Sequence, residues 1–366
     1  MSVIDLIPRL VRSSLEYDRK TTEATALMIS KKLKKEHPEI ASEITKALSY
    51  SGFENTGARS LDLPTLPVDR ETRYSLVKVT EPTEILDPIL EEYTRKQLDD
   101  FIKERGMIEE FLLEEIVPPN SLLLCGAPGV GKTYIAQWIS NQLHLPMITL
   151  DLASSISSYL GRSGQNIQNV FEFAKKQNSI LLLDELDAIA KKRDDSSDLG
   201  ELKRLVNVLL KELETCPVSC VIIGATNHPE LLDRAIWRRF DRVLNIPLPD
   251  DLERKLLIER HIGKVKDTVS ERTLEYIATK TKGLSAADVC KLCEHIKRRV
   301  LLEPGFDVSV IALAEVFKVI RLETKEEKIM ICVSLKKEFP NLTQREISQI
   351  TQIPVTSVSR YLNKSK

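Results

Sequence analysis

Five short apolar runs between Leu122 and Leu248 constrain the fold more than any other feature of this sequence. They are LLLC at Leu122, MITL at Met147, ILLL at Ile180, CVII at Cys220 and RVLNI at Arg242, and amphipathic segments separate them. Each run has the length of a strand that is buried on both faces. Each intervening segment is long enough for a crossover helix, which is the connection that parallel strands require. The pattern therefore predicts an α/β domain built on a doubly wound parallel sheet.

The composition of the 366-residue chain agrees with a packed globular protein. Hydrophobic residues make up 42% of the chain and aromatic residues only 5%, so Leu, Ile, Val and Ala must build most of the core. With 13 Gly and 17 Pro, the chain matches neither a collagen-like nor a low-complexity protein. A zinc site at Cys216, Cys220, Cys290 and Cys293 is an alternative that the pattern disfavours. Cys290 and Cys293 lie in a helical pattern, and no His or Cys pair follows at the spacing of a zinc finger.

Charge and hydropathy limit the environment in which this chain can work. The formal net charge is -1, so any contact with nucleic acid or an anionic membrane must be local. No apolar run approaches the roughly 18 to 20 residues that cross a bilayer. The N-terminal segment MSVIDLIPRLVRSS also lacks a basic start, a continuous apolar stretch and a small-residue cleavage site. We therefore expect a cytoplasmic protein without a membrane partner.

The periodicity of apolar residues divides the chain into five segments. Residues 1–51 have helical spacing and predict an N-terminal region of three short helices. Gly57, Pro64, Pro67 and Pro82 mark a linker over residues 52–82 with one extended stretch from Tyr74 to Val79. Residues 83–249 hold the predicted sheet. Residues 250–322 are helical throughout, and residues 323–366 form a further helical unit that breaks at Ile353 and Pro354.

A glycine-rich loop follows the first apolar run and opens a helical pattern. Glycines at three positions let backbone amides turn towards phosphate oxygens, and the N-terminus of the new helix faces the same charge. A lysine then reaches the outer phosphates and a threonine binds magnesium. The predicted phosphate-binding residues are Gly126, Ala127, Pro128, Gly129, Val130, Gly131, Lys132 and Thr133. An ordinary glycine-rich turn is the alternative, and the preceding strand and following helix argue against it.

Two adjacent carboxylates end the apolar run at Ile180. Asp184 and Glu185 should lie at the carboxyl edge of the sheet, beside the phosphate-binding loop. Asp184 is the predicted magnesium ligand, together with Thr133. Glu185 suits a general base that orients and deprotonates the water attacking a γ-phosphate. The alternative is that one of the two acids caps the following helix.

The run that starts at Cys220 ends in an amide side chain and a cluster of arginines, in the stretch GATNHPELLDRAIWRRFDR from Gly224 to Arg242. Together with GAPGVGKT and LLLDE, this stretch resembles the AAA ATPases of the AAA+ superfamily over about residues 82–322. The resemblance implies a P-loop α/β large domain with a small helical lid, ATP as the nucleotide and Mg²⁺ as the metal. It implies that Asn227 is the residue that senses the γ-phosphate, and that Arg239 and Arg242 are arginine fingers. A guanidinium donated to a neighbouring subunit's nucleotide stabilises the charge of the transferring phosphoryl group, so a ring, expected to be a hexamer, follows.

Two further segments bear on what such a ring would act on. Tyr159, Leu160 and Gly161 resemble the pore loop of threading motors, in which an exposed aromatic residue grips an extended polypeptide. Ser158 and Arg162 depart from that pattern, since a basic residue is common at the first position and an acid at the second. A Tyr159 packed in the core is the alternative. The segment Gly283 to Asp288 resembles the GxSGAD segment that packs near adenosine, and no arginine occupies the second sensor position, which favours the protein-remodelling branch. The chain resembles a group of single-ring bacterial-type AAA proteins, and some of these are encoded beside subtilisin-like serine proteases, which makes such a protease an implied partner.

The C-terminal unit has the pattern of a helix-turn-helix. Thr343 and Glu346 form a predicted capping box, and Ile347, Ser348 and Val358 fall at the core spacings of the motif. Gln352 stands where the motif usually has glycine, and Thr351 where it has an apolar residue. The unit predicts either DNA contact or a helical cap that docks protein.

The leading hypothesis is therefore an ATP-hydrolysing, ring-forming motor that remodels or threads a protein. A DNA-associated AAA+ switch that uses the C-terminal helices is the alternative. A nucleotide-gated scaffold without hydrolysis is disfavoured because Glu185 is present.

Overall fold

The computed structural model describes residues 6–8, 10–11, 19–34, 37–50, 67, 76–152, 163–176, 178–191, 199–320 and 324–363. The chain forms two compact units, residues 1–65 and residues 66–366. In the first unit, the helices α1 (Arg19–Leu33) and α2 (Pro38–Tyr50) pack against each other. Within the described ranges, no helix is long and apolar enough to span a lipid bilayer.

The second unit contains a six-stranded sheet in the order β1-β3-β4-β5-β2-β6. The strands are β1 (Lys78–Thr80), β2 (Ser121–Cys125), β3 (Met147–Asp151), β4 (Ile180–Asp184), β5 (Val221–Thr226) and β6 (Arg242–Asn245). Strands β2 to β6 are parallel, which confirms the predicted doubly wound sheet. The short strand β1 pairs with β3 in the antiparallel direction and adds an edge that the apolar runs do not reveal.

Helices cover both faces of the sheet. They are α3 (Glu92–Gly106), α5 (Lys132–Leu143), α6 (Ser163–Lys175), α7 (Ala188–Lys191), α8 (Leu199–Glu214) and α9 (Arg234–Trp237), whereas the short α4 (Ile108–Leu113) has no buried residue. Successive residues of β2 enter different cores: Leu122 and Leu124 pack with Trp138 of α5, and Leu123 packs with Phe171 of α6. Because both faces of a strand are buried, a continuous apolar run is required.

The remaining helices follow the sheet. They are α10 (Asp251–Ile262), α11 (Glu271–Lys280), α12 (Ala286–Leu302), α13 (Val308–Val319), α14 (Lys325–Glu338), α15 (Gln344–Thr351) and α16 (Val355–Asn363). One hydrophobic core joins them, since it contains Ile258 of α10, Val316 of α13, Ile347 of α15 and Val358 of α16. The segments predicted as a lid and as a C-terminal unit therefore pack as one helical body.

The cysteines do not come together as zinc ligands. Cys220 and the partly buried Cys216 belong to the core on one face of the sheet, and Cys293 belongs to the core of the helical body. Among the described residues there is no group of three or more His, Cys, Asp and Glu side chains that could hold a metal ion.

Candidate nucleotide-binding and hydrolysis site

The phosphate-binding loop connects the carboxyl end of β2 to the N-terminus of α5. Its three glycines have positive φ angles, +155° at Gly126, +80° at Gly129 and +104° at Gly131. A Cβ atom on Gly126 would lie 2.3 Å from the carbonyl oxygen of Ile246, so the loop can pass the end of β6 only as glycine. Gly131 precedes α5 and has no side chain with which to cap it. The first N–H groups of this helix can therefore serve a phosphate.

Lys132 is the buried cation of the site. Its ammonium group donates hydrogen bonds to the carbonyl oxygens of Gly126 (2.8 Å) and Ala127 (2.9 Å), and to Oδ1 of Asn227 (2.7 Å). Burial lowers the pKa of Lys132 from its ordinary value, and the carboxylates of Asp184 and Asp187 act in the opposite direction. The loop, β4 and β5 thus contribute groups around one amine.

The two acids that end β4 lie beside the loop. Thr133 Oγ1 donates to Asp184 Oδ2 at 3.3 Å, so both predicted magnesium ligands lie next to each other. The other carboxylate oxygen of Asp184 accepts the backbone N–H of Glu185 at 2.9 Å. Glu185 has a φ of +55°, a left-handed conformation that is uncommon for residues other than glycine and that occurs often at functional sites.

Asp187 was not among the predicted site residues, yet it orients one of them. Its side chain is 3% exposed, and Oδ1 accepts hydrogen bonds from Thr226 Oγ1 and from the backbone N–H of Asn227, both at 3.1 Å. This carboxylate therefore joins the end of β4 to the end of β5. Its position three residues after Asp184 was the available signal, because a third acid close to a strand end stays near the same sheet edge.

A cavity of about 460 Å³ connects these groups to the helical body. Its polar floor contains residues of the phosphate-binding loop with Asp184, Glu185 and Asn227. Its other walls come from a segment before α3 and from α5, α10 and α12, and they include Ile89, Tyr134, Leu257, Arg260, His261, Ala286 and Cys290. A polar floor with a mostly apolar upper wall fits a nucleoside triphosphate, with phosphates on the loop and the base above it.

The helical body is bonded directly to the phosphate-binding loop. The backbone N–H of Ala287 donates to the carbonyl oxygen of Gly129 at 2.9 Å. A Cβ atom on Gly129 would lie 2.5 Å from Ser285 Oγ, so only glycine permits this approach. The segment from Gly283 to Asp288 therefore reaches the nucleotide cavity, as its resemblance to GxSGAD implies.

Further hydrogen bonds connect α5 and α10 to the segment before α3 in the wall of the cavity. Tyr134 Oη donates to the carbonyl oxygen of Leu86 at 2.6 Å, and Arg260 donates to that of Asp87. The carboxylate of Asp87 accepts Trp138 Nε1 at 3.0 Å, and this hydrogen bond is the largest cause that lowers the pKa of Asp87. These wall residues come from segments far apart in the chain, and no local motif marks them.

The predicted arginine fingers, Arg239 and Arg242, lie near the amino ends of the strands, whereas the phosphate-binding loop lies at their carboxyl ends. Ser121, the first residue of β2, donates through Oγ to the carbonyl oxygen of Arg239, whereas the phosphate-binding loop begins after the last residue of that strand. Arg239 forms an ion pair with Glu214. Arg242 donates from Nη2 to both carboxylate oxygens of Glu104 at 2.7 Å, and from Nη1 to the carbonyl oxygen of Gln97 at 3.1 Å. The length of β2, roughly 15 Å at about 3.3 Å per residue, separates these arginines from the loop of the same chain.

The structure does not describe the predicted pore loop. Tyr159 and its neighbours Ser158, Leu160 and Gly161 lie outside the described residues.

Comparisons with known proteins agree with this fold and site. The family described as "ATPase family associated with various cellular activities (AAA)" matches residues 122–248. An uncharacterized AAA family ATPase, y4kL, of Sinorhizobium fredii is 30% identical over 277 residues, which are 75% of this chain and 83% of that protein. This chain belongs to the AAA family, and it is an ATPase that binds and hydrolyses ATP.

Other relatives match a smaller part of their own length. The proteasome-activating nucleotidase of Methanothermobacter thermautotrophicus is 32% identical over 58% of this chain and 53% of that protein. The cell division cycle protein 48 homolog of Archaeoglobus fulgidus is 36% identical over 58% of this chain and 30% of that protein. This chain thus spans about half or less of these two relatives.

Among solved structures, the FIGL-1 AAA domain has the same fold. Its complex with ADP matches 72% of this chain and 94% of that chain, with a TM-score of 0.54 and 24% identity.

Proposed function

We propose that this chain is the subunit of a six-membered ring that uses ATP hydrolysis to remodel or thread polypeptides. The observation that supports a ring is that the candidate catalytic residues lie at two opposite ends of the strands. The phosphate-binding loop, Asp184, Glu185 and Asn227 lie at one edge of the sheet, and Arg239 and Arg242 lie at the other. An arginine that acts on the γ-phosphate must therefore come from a second copy of the chain.

Each residue of the site has a proposed task. Residues 126–133 hold the phosphates of ATP, and Thr133 and Asp184 would hold Mg²⁺. When bound, the metal neutralises phosphate charge and orients the γ-phosphate. Glu185 accepts the proton of the attacking water, and Asn227 positions that water beside the Lys132 ammonium. Asp187 keeps Asn227 in place through the backbone N–H bond.

The guanidinium of Arg239 is the finger that the geometry favours. It is 42% exposed and pairs with Glu214, whose side chain is 45% exposed, so both can rearrange at an interface. Arg242 is 22% exposed and is tied to α3, because its Nη2 donates to both carboxylate oxygens of Glu104. We assign two roles to Arg242. It holds β6 against α3, and it supplies a second positive charge to the nucleotide site of the neighbouring subunit.

The polypeptide substrate is proposed on different grounds. The tripeptide Tyr159, Leu160 and Gly161 resembles the pore loop of threading motors, and two relatives are named as a proteasome-activating nucleotidase and a cell division cycle protein 48 homolog. A partnership with a subtilisin-like serine protease stays a prediction.

The test of this function uses two variants. A Glu185→Gln protein, which should hold ATP without turnover, serves to capture substrates for identification by mass spectrometry. Tyr159→Ala is then assayed on a captured substrate that carries a tag. We expect near wild-type ATPase activity, an unchanged melting temperature and loss of remodelling. Tyr93→Ala is the matched control because Tyr93 is 68% exposed on α3. Full remodelling by a stable Tyr159→Ala ring would contradict the proposal.

A further inference from the structure

The C-terminal helices α15 and α16 have the geometry of a helix-turn-helix despite two departures of the sequence from that motif. Gln352 takes the place of the usual glycine, and it adopts a φ of +57°, the left-handed conformation for which glycine is usually chosen. Thr351 takes the place of an apolar residue, and its hydroxyl donates to the carbonyl oxygen of Ile347 at 2.7 Å inside the core. Both departures are therefore accommodated without loss of the turn.

Packing and hydrogen bonds hold the two helices in one orientation. Ile347, Ile350 and Val358 are fully buried, and α16 packs against both α14 and α15. Ser348 Oγ donates to the carbonyl oxygen of Ile353 at 2.6 Å, which pins the turn to α15. Helix α15 also packs on α13, so the motif is part of the helical body that closes the nucleotide cavity.

The outer face of α16 contains no acid and is mostly polar, with Val355 at the start of the helix as its exposed apolar residue (41% exposed). Thr356 and Arg360 are exposed and Ser359 is half-buried on this helix, whose sequence is VTSVSRYLN. Threonine, serine and arginine side chains can donate hydrogen bonds to the edges of bases. In the part of the chain that the structure describes, neither Arg345 nor Arg360 forms an ion pair, so both guanidinium groups are available to a ligand.

The charge of this segment is opposite to that of the chain as a whole. Residues 343–366 contain four basic side chains, Arg345, Arg360, Lys364 and Lys366, and one acid, Glu346. The carboxylate of Glu346 accepts the backbone N–H of Thr343 at 2.7 Å in a capping box. The only acid is thus held at the start of α15, and the segment has a local positive charge although the formal net charge of the chain is -1.

We propose that this surface binds double-stranded DNA, with α16 in the major groove. Thr356, Ser359 and Arg360 contact base edges, and Arg345 at the start of α15 contacts the phosphate backbone, as in other helix-turn-helix proteins. A protein partner of this surface would need an apolar or acidic complement. The polar face and the unpaired arginines match phosphate and base edges better.

The position of the surface links DNA to the ATPase. The same helical body contributes Ala287, which bonds to Gly129 of the phosphate-binding loop. A ring would carry one such surface per subunit, and several weak contacts on one duplex would act together. We therefore expect DNA affinity to increase when ATP promotes ring assembly.

The experiment selects duplexes of about 30 base pairs, roughly three helical turns, from a random library with the full-length protein. Binding of an enriched duplex is then measured by fluorescence anisotropy over a salt series. We expect binding that weakens as salt increases, and a further loss of about tenfold to hundredfold for Arg360→Ala. Arg298→Ala is the matched control, since Arg298 is 70% exposed on α12. It should bind DNA like the wild type.

ATPase rate and melting temperature should be unchanged in both variants, which separates this proposal from the hydrolysis mechanism. Failure to enrich any duplex would overturn the proposal, and so would equal losses for Arg360→Ala and Arg298→Ala. A protein captured from a lysate only when Arg360 is intact, with no duplex enriched, would assign the surface to protein docking instead.

Discussion

The ammonium of Lys132 lies 2.7 Å from Oδ1 of Asn227, although the two residues are 95 positions apart in the chain. Lys132 begins the helix after β2 and Asn227 follows β5, and these strands are neighbours in the sheet. The contact places the amide of Asn227 at the cation that should face the γ-phosphate. A change at Asn227 should therefore affect turnover more than nucleotide binding.

We expect Asn227→Ala to reduce the ATPase rate by about 10²-fold to 10³-fold, the range for loss of one preorganised polar group. Nucleotide affinity should change only a few-fold because residues 126–133 remain. Steady-state ATPase assays and binding of a fluorescent nucleotide measure the two quantities. Asn341→Ala, an exposed asparagine between α14 and α15, is the control. A large loss of affinity with unchanged turnover would assign Asn227 to binding instead.

Glu185→Gln should bind ATP and fail to hydrolyse it. The carboxylate that accepts the proton of water is lost, while the loop, Asp184 and the arginines remain. A matched control is Glu115→Gln, because Glu115 is exposed and has a nearly identical φ of +58°. Gel filtration with ATP should show the Glu185→Gln protein as a stable assembly. Hydrolysis by this variant at the wild-type rate would exclude Glu185 as the base.

Arg239→Ala should abolish hydrolysis in a pure sample and retain nucleotide binding, because the proposed finger would act on the nucleotide of another subunit. Mixing it with inactive Lys132→Ala protein should restore part of the activity, because some interfaces then combine an intact loop with an intact finger. Arg234→Ala, at an exposed position on α9, is the control and should keep wild-type activity. If mixed rings form and remain inactive, Arg239 does not act in trans.

Arg242→Ala should differ from Arg239→Ala in stability. Its ion pair with Glu104 joins β6 to α3 and is partly shielded from solvent, so its loss should cost about 1 kcal/mol. We expect a melting temperature a few degrees below that of Arg239→Ala. Glu104→Gln should reproduce the loss of stability. Equal melting temperatures for wild type and Arg242→Ala would show that the ion pair contributes nothing.

Glu253→Gln should stabilise the protein at neutral pH. Glu253 completes a capping box with Asp250, and burial raises the pKa of its carboxyl from the ordinary value of 4.5. The folded state therefore favours the neutral carboxyl, and the free energy of unfolding falls as pH rises from 4.5 through the folded pKa. The amide keeps the oxygen that accepts the Asp250 N–H and removes the charge. The gain in melting temperature should be present at pH 7 and should shrink towards pH 4.5.

Glu346 provides the opposite case for this pH effect. It has the same place in the capping box of α15, but hydrogen bonds from Thr343 lower its pKa. Glu346→Gln should therefore give no gain in melting temperature at pH 7. Equal gains for the two variants would show that burial of Glu253 is not the cause.

Much of the catalytic half of the site could be predicted because each part is contiguous in the chain. The strand β4 is an apolar run, and Asp184 and Glu185 mark its end. The glycines of residues 126–133 predict a tightly turning loop. Parallel strands bring such ends to one edge of a sheet, so local patterns were sufficient. The helices α15 and α16 were predicted in the same way, from a capping box and core spacing.

The groups that complete the site could not be predicted from local patterns. Asp187 was recognisable only as a further acid, and its bonds to Thr226 and Asn227 exist because β4 and β5 pair. The cavity wall combines Tyr134 with Arg260 and the carbonyls near Asp87, which lie on different elements.

The sequence by itself determined which segments form strands and which residues are the candidates for phosphate binding and hydrolysis, because backbone preference and burial pattern are properties of neighbouring residues. Only the tertiary structure decided that Arg239 and Arg242 lie at the edge opposite the loop and that Ala287 bonds to Gly129. It also decided that Gln352 makes the left-handed turn without glycine. Each of these features depends on the order of strands or on the packing of helices. No periodic pattern in the sequence relates the residues that make such contacts.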